Sequence, residues 1–225
     1  MKSYKELQEG VYDPNILKAF FLAGGPGSGK SYVVKRTTGG MGLKIVNSDE
    51  VFEKKLKDAG LSLKMPEVEA EPRDKIRDRS KALTKQRQAN YVEGRLGLVI
   101  DGTGHDYDKI AGQARTLETL GYDTFMIFVN TSLDVALQRN AERQRSVPTS
   151  IVTTSWNNVQ RNIGKFQNLF RGNFVIVDNN SKDEDIMGQA IKRVRALTRQ
   201  KLRNTRGKAW IARELELKRR WYGNL

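Results

Sequence analysis

Five short apolar runs punctuate an otherwise polar chain: residues 19–23 (AFFLA), 43–46, 96–100, 124–129 and 173–177. Each is rich in β-branched or aromatic residues and is apolar along its length rather than at alternate positions. That pattern predicts strands covered on both faces, as in a parallel sheet. The intervals between them carry helical periodicity. One helix begins at the Gly29-Lys30 step. Another spans about residues 110–120, with Ile110, Ala114 and Leu117 on one face and Gly121 as its stop signal. A third opens near Thr131, where Thr131 and Asp134 have capping-box spacing, and Ser181 and Glu184 repeat that spacing before the last helix. In that helix Ile186, Ala190, Val194 and Leu197 form one apolar stripe. The strand–helix repetition predicts an α/β fold: a five-stranded parallel sheet with helices on both faces.

Two stretches break the rhythm. Residues 50–95, between the second and third strands, read as a long, mostly helical insertion, and 73–95 is charged on nearly every turn. It suits either an arm that holds a substrate or a solvated surface helix. Residues 199–225 form a basic helical extension that still contains Trp210, Ile211, Leu215, Leu217 and Trp221. Those apolar side chains predict docking onto the body. The organisation expected is a lead segment (1–18), a main domain (19–198) with 50–95 on the acceptor side, and the basic tail (199–225).

Charge sharpens the view of the tail. The formal net charge is +14, and residues 189–225 hold twelve Lys/Arg against two acids, so +10 of it lies there. A localised basic segment suits nucleic acid or another polyanion, although a solvated helix face has the same composition. The chain has no cysteine, which excludes disulfides and thiolate metal sites. The first ten residues are polar, and every apolar run is too short to span a bilayer. The expectation is a soluble, cytoplasmic protein.

The strongest chemical signal is residues 24–31, GGPGSGKS, which satisfy G-x-x-x-x-G-K-[ST] between an apolar strand and a helix. In such a loop, Gly25, Gly27, Ser28 and Gly29 turn backbone N–H groups towards phosphate oxygens, helped by the positive end of the helix dipole; Pro26, which has no N–H, lies inside the same cradle. Lys30 reaches the β- and γ-phosphates of ATP, and Ser31 ligates Mg²⁺. The motif alone leaves the fate of the γ-phosphate open.

Three further groups bear on that fate. Asp49 follows the second strand, where a carboxylate can activate an acceptor hydroxyl; the same position suits a helix cap, by Asp49 or by Ser48. Asp101 ends the third strand, placed to hold Mg²⁺ through water or to bind the acceptor, with Thr103 beside it. Arg139, Arg143 and Arg145 lie on or after the helix following the fourth strand. Arg139 and Arg143, four apart, would share a helix face and clamp phosphate oxygens. His105, the one histidine, is given no chemistry.

Taken together, these residues resemble the zeta-toxin family of P-loop kinases and, less closely, polynucleotide 5′-kinases. The likeness runs over about residues 20–179. It rests on the phosphate loop, Asp49, the segment 98–104 (LVIDGTG), residues 119–122 (TLGY) and residues 145–148 (RSVP). Zeta toxins carry Glu-Gly-Thr-Gly where this chain has Asp101-Gly102-Thr103-Gly104. The resemblance implies a P-loop kinase-like fold and ATP-dependent phosphorylation of an acceptor hydroxyl. Asp49 then acts as general base, Asp101 contacts the acceptor, and Arg143 and Arg145 act as lid arginines. The family acceptor is UDP-N-acetylglucosamine. Two departures stand out: Asp101 is one methylene shorter than the family's Glu, and only one residue separates Arg143 from Arg145. A polynucleotide 5′-hydroxyl is the alternative acceptor, favoured by the basic tail. A non-catalytic ATP-binding nucleic-acid or assembly protein is the alternative of another class. Whether an antitoxin partner exists is not written in the sequence.

Overall fold

The computed structural model describes residues 10–64, 66–143, 147–181 and 183–222. Five parallel strands form one sheet in the order β2-β3-β1-β4-β5: β1 (Lys18–Ala23), β2 (Lys44–Val46), β3 (Leu98–Ile100), β4 (Asp123–Asn130) and β5 (Phe174–Asp178). Among the described residues the α-helices are α1 (Lys30–Thr38), α2 (Ser48–Asp58), α3 (Ala70–Glu93), α4 (Tyr107–Thr119), α5 (Leu133–Ala141), α6 (Thr149–Phe170), α7 (Glu184–Arg199) and α8 (Thr205–Tyr222). Among the described residues no helix is long and apolar enough to cross a membrane.

Strand alternation divides the core into two layers. Ala19, Phe21 and Ala23 of β1, with Met126 and Phe128 of β4, pack against α4 and α6 through Ile110, Ala114, Leu117, Val159 and Phe166. Phe20 and Leu22, with Phe125, Ile127 and Val129, face α1 and α7 through Val33, Val34, Met187, Ala190, Val194 and Leu197. Phe20 stacks on Phe125 with ring centroids 4.6 Å apart. The central strands are buried on both faces, which is why their sequences are apolar throughout. The edges behave differently: Ile45 of β2 and Ile176 of β5 are about half exposed.

The helix starts differ in detail from the sequence expectation. Ser132, not Thr131, caps α5, accepting from the Val135 amide at 3.4 Å. Asp183, not Ser181, caps α7, accepting from the Asp185 and Ile186 amides at 2.8 and 3.2 Å. The buried stripe of α7 begins at Met187, with Ile186 only half-buried. In both cases a polar residue nearer the first turn reaches the orphan amides with a shorter lever.

The insertion is helical, as its sequence predicted. The tail is helical and docked. Asp123, at the start of β4, accepts from the Arg203 and Asn204 amides at 2.7 and 2.9 Å. Asn204 in turn donates to the Glu118 and Tyr122 carbonyls and accepts from the first amides of α8. The backbones meet at Gly121 and Gly207, where a Cβ on Gly207 would strike the Gly121 carbonyl. Trp210 and Ile211 then pack on the α4/α6 layer, and the Lys218 ammonium lies 4.6 Å from the Tyr12 ring centroid. All of this happens at the N-terminal ends of the strands. There Lys18, paired in register with Asp123, donates to the Thr198 carbonyl at the end of α7.

Candidate phosphate-transfer site

The opposite, C-terminal edge of the sheet carries the chemistry. The connection leaving β1 runs through α1 on one face, and that leaving β3 through α4 on the other. Between these neighbouring strands the sheet has its switch point, where α/β folds place ligands. The phosphate loop leaves β1 and turns over Gly25, whose carbonyl accepts from the Ser28 amide at 3.2 Å. Gly24 donates its N–H to the Thr103 carbonyl at 2.9 Å, so the loops after β1 and β3 are joined. Gly27 adopts φ +79° and packs directly on the backbone of α5 at Ala136. Lys30, the first residue of α1, donates to the Gly24 and Gly25 carbonyls at 2.6 and 3.4 Å, which curls its ammonium over the loop. Burial pulls the Lys30 pKa below its ordinary value; Asp101 opposes that shift, and Arg143 adds to it.

A cleft of about 620 Å³ opens above the loop. It brings together most of the residues singled out from sequence: Gly25, Pro26, Gly27, Gly29, Lys30, Ser31, Asp49, Asp101, Thr103 and Arg143. Ser28 is buried beneath the loop instead, with no hydrogen-bond partner for its Oγ. Arg139 lies beside Gly29 and donates to the Asn179 and Asn180 carbonyls at 2.7 and 3.4 Å. Helix α5 ends at Ala141, so Arg139 and Arg143 do not share a helix face. The first turns to the loop after β5 and the second to the cleft. Arg145 lies outside the described residues.

Asn47 is a site position to which the sequence reading gave no role of its own. Its Oδ1 accepts from the Asp49 and Glu50 amides at 2.8 and 3.3 Å, and its Nδ2 donates to Asp101 Oδ2 at 2.9 Å. The cap of α2 is therefore Asn47, not Ser48 or Asp49, and the same side chain ties β2 to the carboxylate after β3. Asn179 is a second such position: it donates to the Ser28 carbonyl at 2.7 Å and braces the phosphate loop from β5. The signal for both was an Asn directly after an apolar strand.

Asp101 Oδ1 is buried without a hydrogen-bond partner. Burial pushes the Asp101 carboxyl above its ordinary range, Lys30 pulls it back, and Asp49 pushes it further up. Asp101 Oδ1 and the Ser31 hydroxyl border the same cleft and are the oxygen types Mg²⁺ takes. Mg²⁺ needs only one or two protein oxygens beside phosphates and water, so the absence of a three-residue His/Cys/Asp/Glu cluster among the described residues is no obstacle. The raised carboxyl has a stability consequence. Between the ordinary and the raised value the folded state binds more protons than the unfolded one, so stability falls as pH rises through that window. Asp101→Asn keeps an acceptor for Asn47 and removes the buried charge. It is expected to raise the melting temperature at pH 7 while lowering activity, with the thermal gain shrinking as pH falls towards the ordinary carboxyl range. Thermal melts across pH check this.

A second pocket, of about 380 Å³, adjoins the first beneath α3. The two share Ser48, Asp101, Gly102, Thr103 and Lys109, while Lys81, Lys85 and Gln88 of α3 line the second alone. His105 lies on its rim, with Nδ1 against the Thr103 hydroxyl. Asn162 of α6 donates to the Gly104 and His105 carbonyls at 3.0 Å and fixes this loop from below.

A family model described as an AAA domain matches residues 20–166. No curated protein matches the chain by sequence. Solved structures match it at low identity. A protein assigned as a kinase from Chloroflexus aurantiacus j-10-fl is 15% identical with a TM-score of 0.57, over 80% of this chain and 97% of that one. The AvrRxo1-ORF1:-ORF2 complex with ATP is 14% identical with a TM-score of 0.56, over 72% of this chain and 54% of that one. The PezAT chromosomal toxin–antitoxin system of Streptococcus pneumoniae is 13% identical with a TM-score of 0.52, over 81% of this chain and 88% of that one. The likeness to toxin-type P-loop kinases read from the motifs thus extends to the fold, and at these identities to the fold alone.

Proposed function

The chain belongs to the AAA-domain family, and from that premise we propose that it is an ATP- and Mg²⁺-dependent kinase. It moves the γ-phosphoryl group of ATP onto a hydroxyl of a small acceptor, UDP-N-acetylglucosamine or a related nucleotide sugar. The observation that carries this reading is the contiguity of two pockets across Asp101 and Thr103: a triphosphate-sized cleft over the phosphate loop, and a smaller pocket under α3. A switch that only bound ATP would need no second chamber opening onto the γ-phosphate position.

In this mechanism the loop amides and Lys30 hold the phosphates, and Arg139 secures the nucleotide side. Asp49 takes the proton of the acceptor hydroxyl as its oxygen bonds to the γ-phosphorus and the bond to the ADP oxygen breaks. Arg143 and Arg145 neutralise the charge on the transferring oxygens. Asp101 and Thr103 orient the acceptor. Ser31 and Asp101 would hold Mg²⁺, which supplies charge neutralisation at the β- and γ-phosphates. Residues 19–198 form the catalytic unit, with 50–95 closing the acceptor side through Lys81 and Lys85. Residues 1–18 lead into it and 199–225 follow it. The small pocket volume favours a small molecule over a polynucleotide 5′-hydroxyl. So does the docking of the basic tail at the strands' other ends, because the tail's charge was one of the arguments for a polynucleotide acceptor.

The test is a radiolabelled transfer assay offering UDP-N-acetylglucosamine, other nucleotide sugars and a 5′-hydroxyl oligonucleotide. Label is expected on a nucleotide sugar and absent with Lys30→Ala. Label on the oligonucleotide alone would replace the acceptor, and ATP binding without transfer to any would replace the enzyme with a switch.

A further inference from the structure

The basic tail is a built surface rather than a loose appendage, and it stands apart from the phosphate cleft. Its anchor, the Asp123 carboxylate on the Arg203 and Asn204 amides, sits at the first residue of β4, beside Lys18 at the start of β1. The phosphate loop begins after the sixth residue of β1, so roughly 20 Å of strand separates the two at about 3.3 Å per residue. A groove of about 510 Å³ runs at this pole between residues 14–18 and the α7–α8 junction. Lys18, Arg199 and Lys201 line it together with Asn15 and Gln200, and among the described residues no carboxylate does. Ile211 of α8 forms part of its wall. At 3.6 residues per turn, Lys208 and Arg219 lie on the flank of α8 about 60–80° round from Ile211, both outward and exposed. The groove and this flank meet at α8, whose Ile211 walls the groove.

We infer that the basic side chains at this pole, Arg199, Lys201, Lys208 and Arg219, bind the phosphodiester backbone of a nucleic acid, anchoring the chain with its phosphate cleft facing away. Charge complementarity points to a polyanion, and a continuous groove suits a chain of phosphates better than a single ion. A lipid surface fits less well. Trp210 and Ile211 of α8 are turned inward onto the core, and Leu217 is the one large apolar side chain exposed among the described residues of α8, too little to insert into lipid. The inference does not depend on the kinase reading, because none of these residues touches the phosphate cleft.

The experiment measures the full chain binding labelled single-stranded RNA and duplex DNA of about 20 nucleotides by fluorescence anisotropy, across salt, since the number of phosphates neutralised sets the salt slope. The wild type is expected to bind either without sequence preference. The triple variant Arg199→Gln, Lys201→Gln, Arg219→Gln is expected to bind at least about tenfold more weakly. Its log–log salt slope should be shallower by about two to three, at about 0.7–0.9 for each phosphate that is no longer neutralised. ATP binding and the melting temperature of the variant are expected to match the wild type, which excludes misfolding. Lys30→Ala is expected to keep full nucleic-acid binding. Unchanged affinity and slope in the triple variant would overturn the assignment, as would tighter wild-type binding to phosphatidylserine vesicles or polyglutamate than to RNA.

Discussion

Asp49→Asn is expected to lower phosphoryl transfer by about 10²–10⁴-fold, the usual worth of a positioned general base, while ATP affinity stays essentially unchanged. The geometry makes this a clean substitution. Asn47 makes the cap of α2 by holding the Asp49 and Glu50 amides, so the helix start does not rely on the Asp49 side chain. An acid in the first turn also favours the helix dipole, and its neutralisation costs about 0.3–1 kcal/mol. That loss leaves the fold intact. Glu50 is the discriminating control. It borders the same cleft, and its carboxyl is pushed above the ordinary range by burial and then by Asp101 and Glu53, which makes it a competing proton acceptor. Single-turnover transfer by Asp49→Asn and Glu50→Gln separates the two. If Glu50→Gln stalls transfer and Asp49→Asn does not, the base is Glu50, and the reading of the second strand's end shifts by one residue.

What the sequence disclosed follows from how each feature is encoded. The central strands were legible because burial on both faces demands apolar residues at every position, and 19–23, 98–100 and 125–129 meet that demand. The phosphate loop was legible because its conformation needs specific residue types at fixed spacing. Asn47 was not: its role is a pair of contacts, one local to α2 and one to Asp101, fifty-four residues away. The same holds for the tail. Trp210 and Ile211 announced that it docks, but the surface they meet is set by Asp123 and Asn204, which are eighty-one residues apart. The insertion was hard to place for a different reason. The buried residues of α3 are Ser80 and Thr84, whose hydroxyls bond back to the Ile76 and Ser80 carbonyls at 2.7 and 2.8 Å. A helix that buries hydroxyls leaves almost no apolar stripe to read. The helix caps were misplaced by one or two residues because Ser, Thr, Asp and Asn cluster at these starts and only geometry selects among them.

The second large effect is expected at Gly27→Ala, which should weaken ATP binding by at least about 100-fold. Two costs combine there. An L side chain at φ +79° loses about 1–2 kcal/mol in the left-handed region. The new Cβ would also point into the Ala136 carbonyl, which is helix backbone and has no rotamer to escape through. Either the loop or α5 must move, and a moved loop no longer aims its amides at one point. Losing two charge-assisted hydrogen bonds at about 1.5–3 kcal/mol each already exceeds the roughly 2.7 kcal/mol that a 100-fold change requires. Gly40 supplies the matched comparison. It has a similar φ of +75°, yet nothing lies within 4 Å of a Cβ built there. Gly40→Ala therefore carries the backbone strain without the collision. It should cost about 1–2 kcal/mol of stability and leave ATP affinity as it was. Calorimetric titration with ATP and thermal melts of both variants decide the matter. Equal ATP affinity in Gly27→Ala and wild type would mean that the loop amides do not hold the phosphates, and the donor half of the site would have to be sought elsewhere in the cleft.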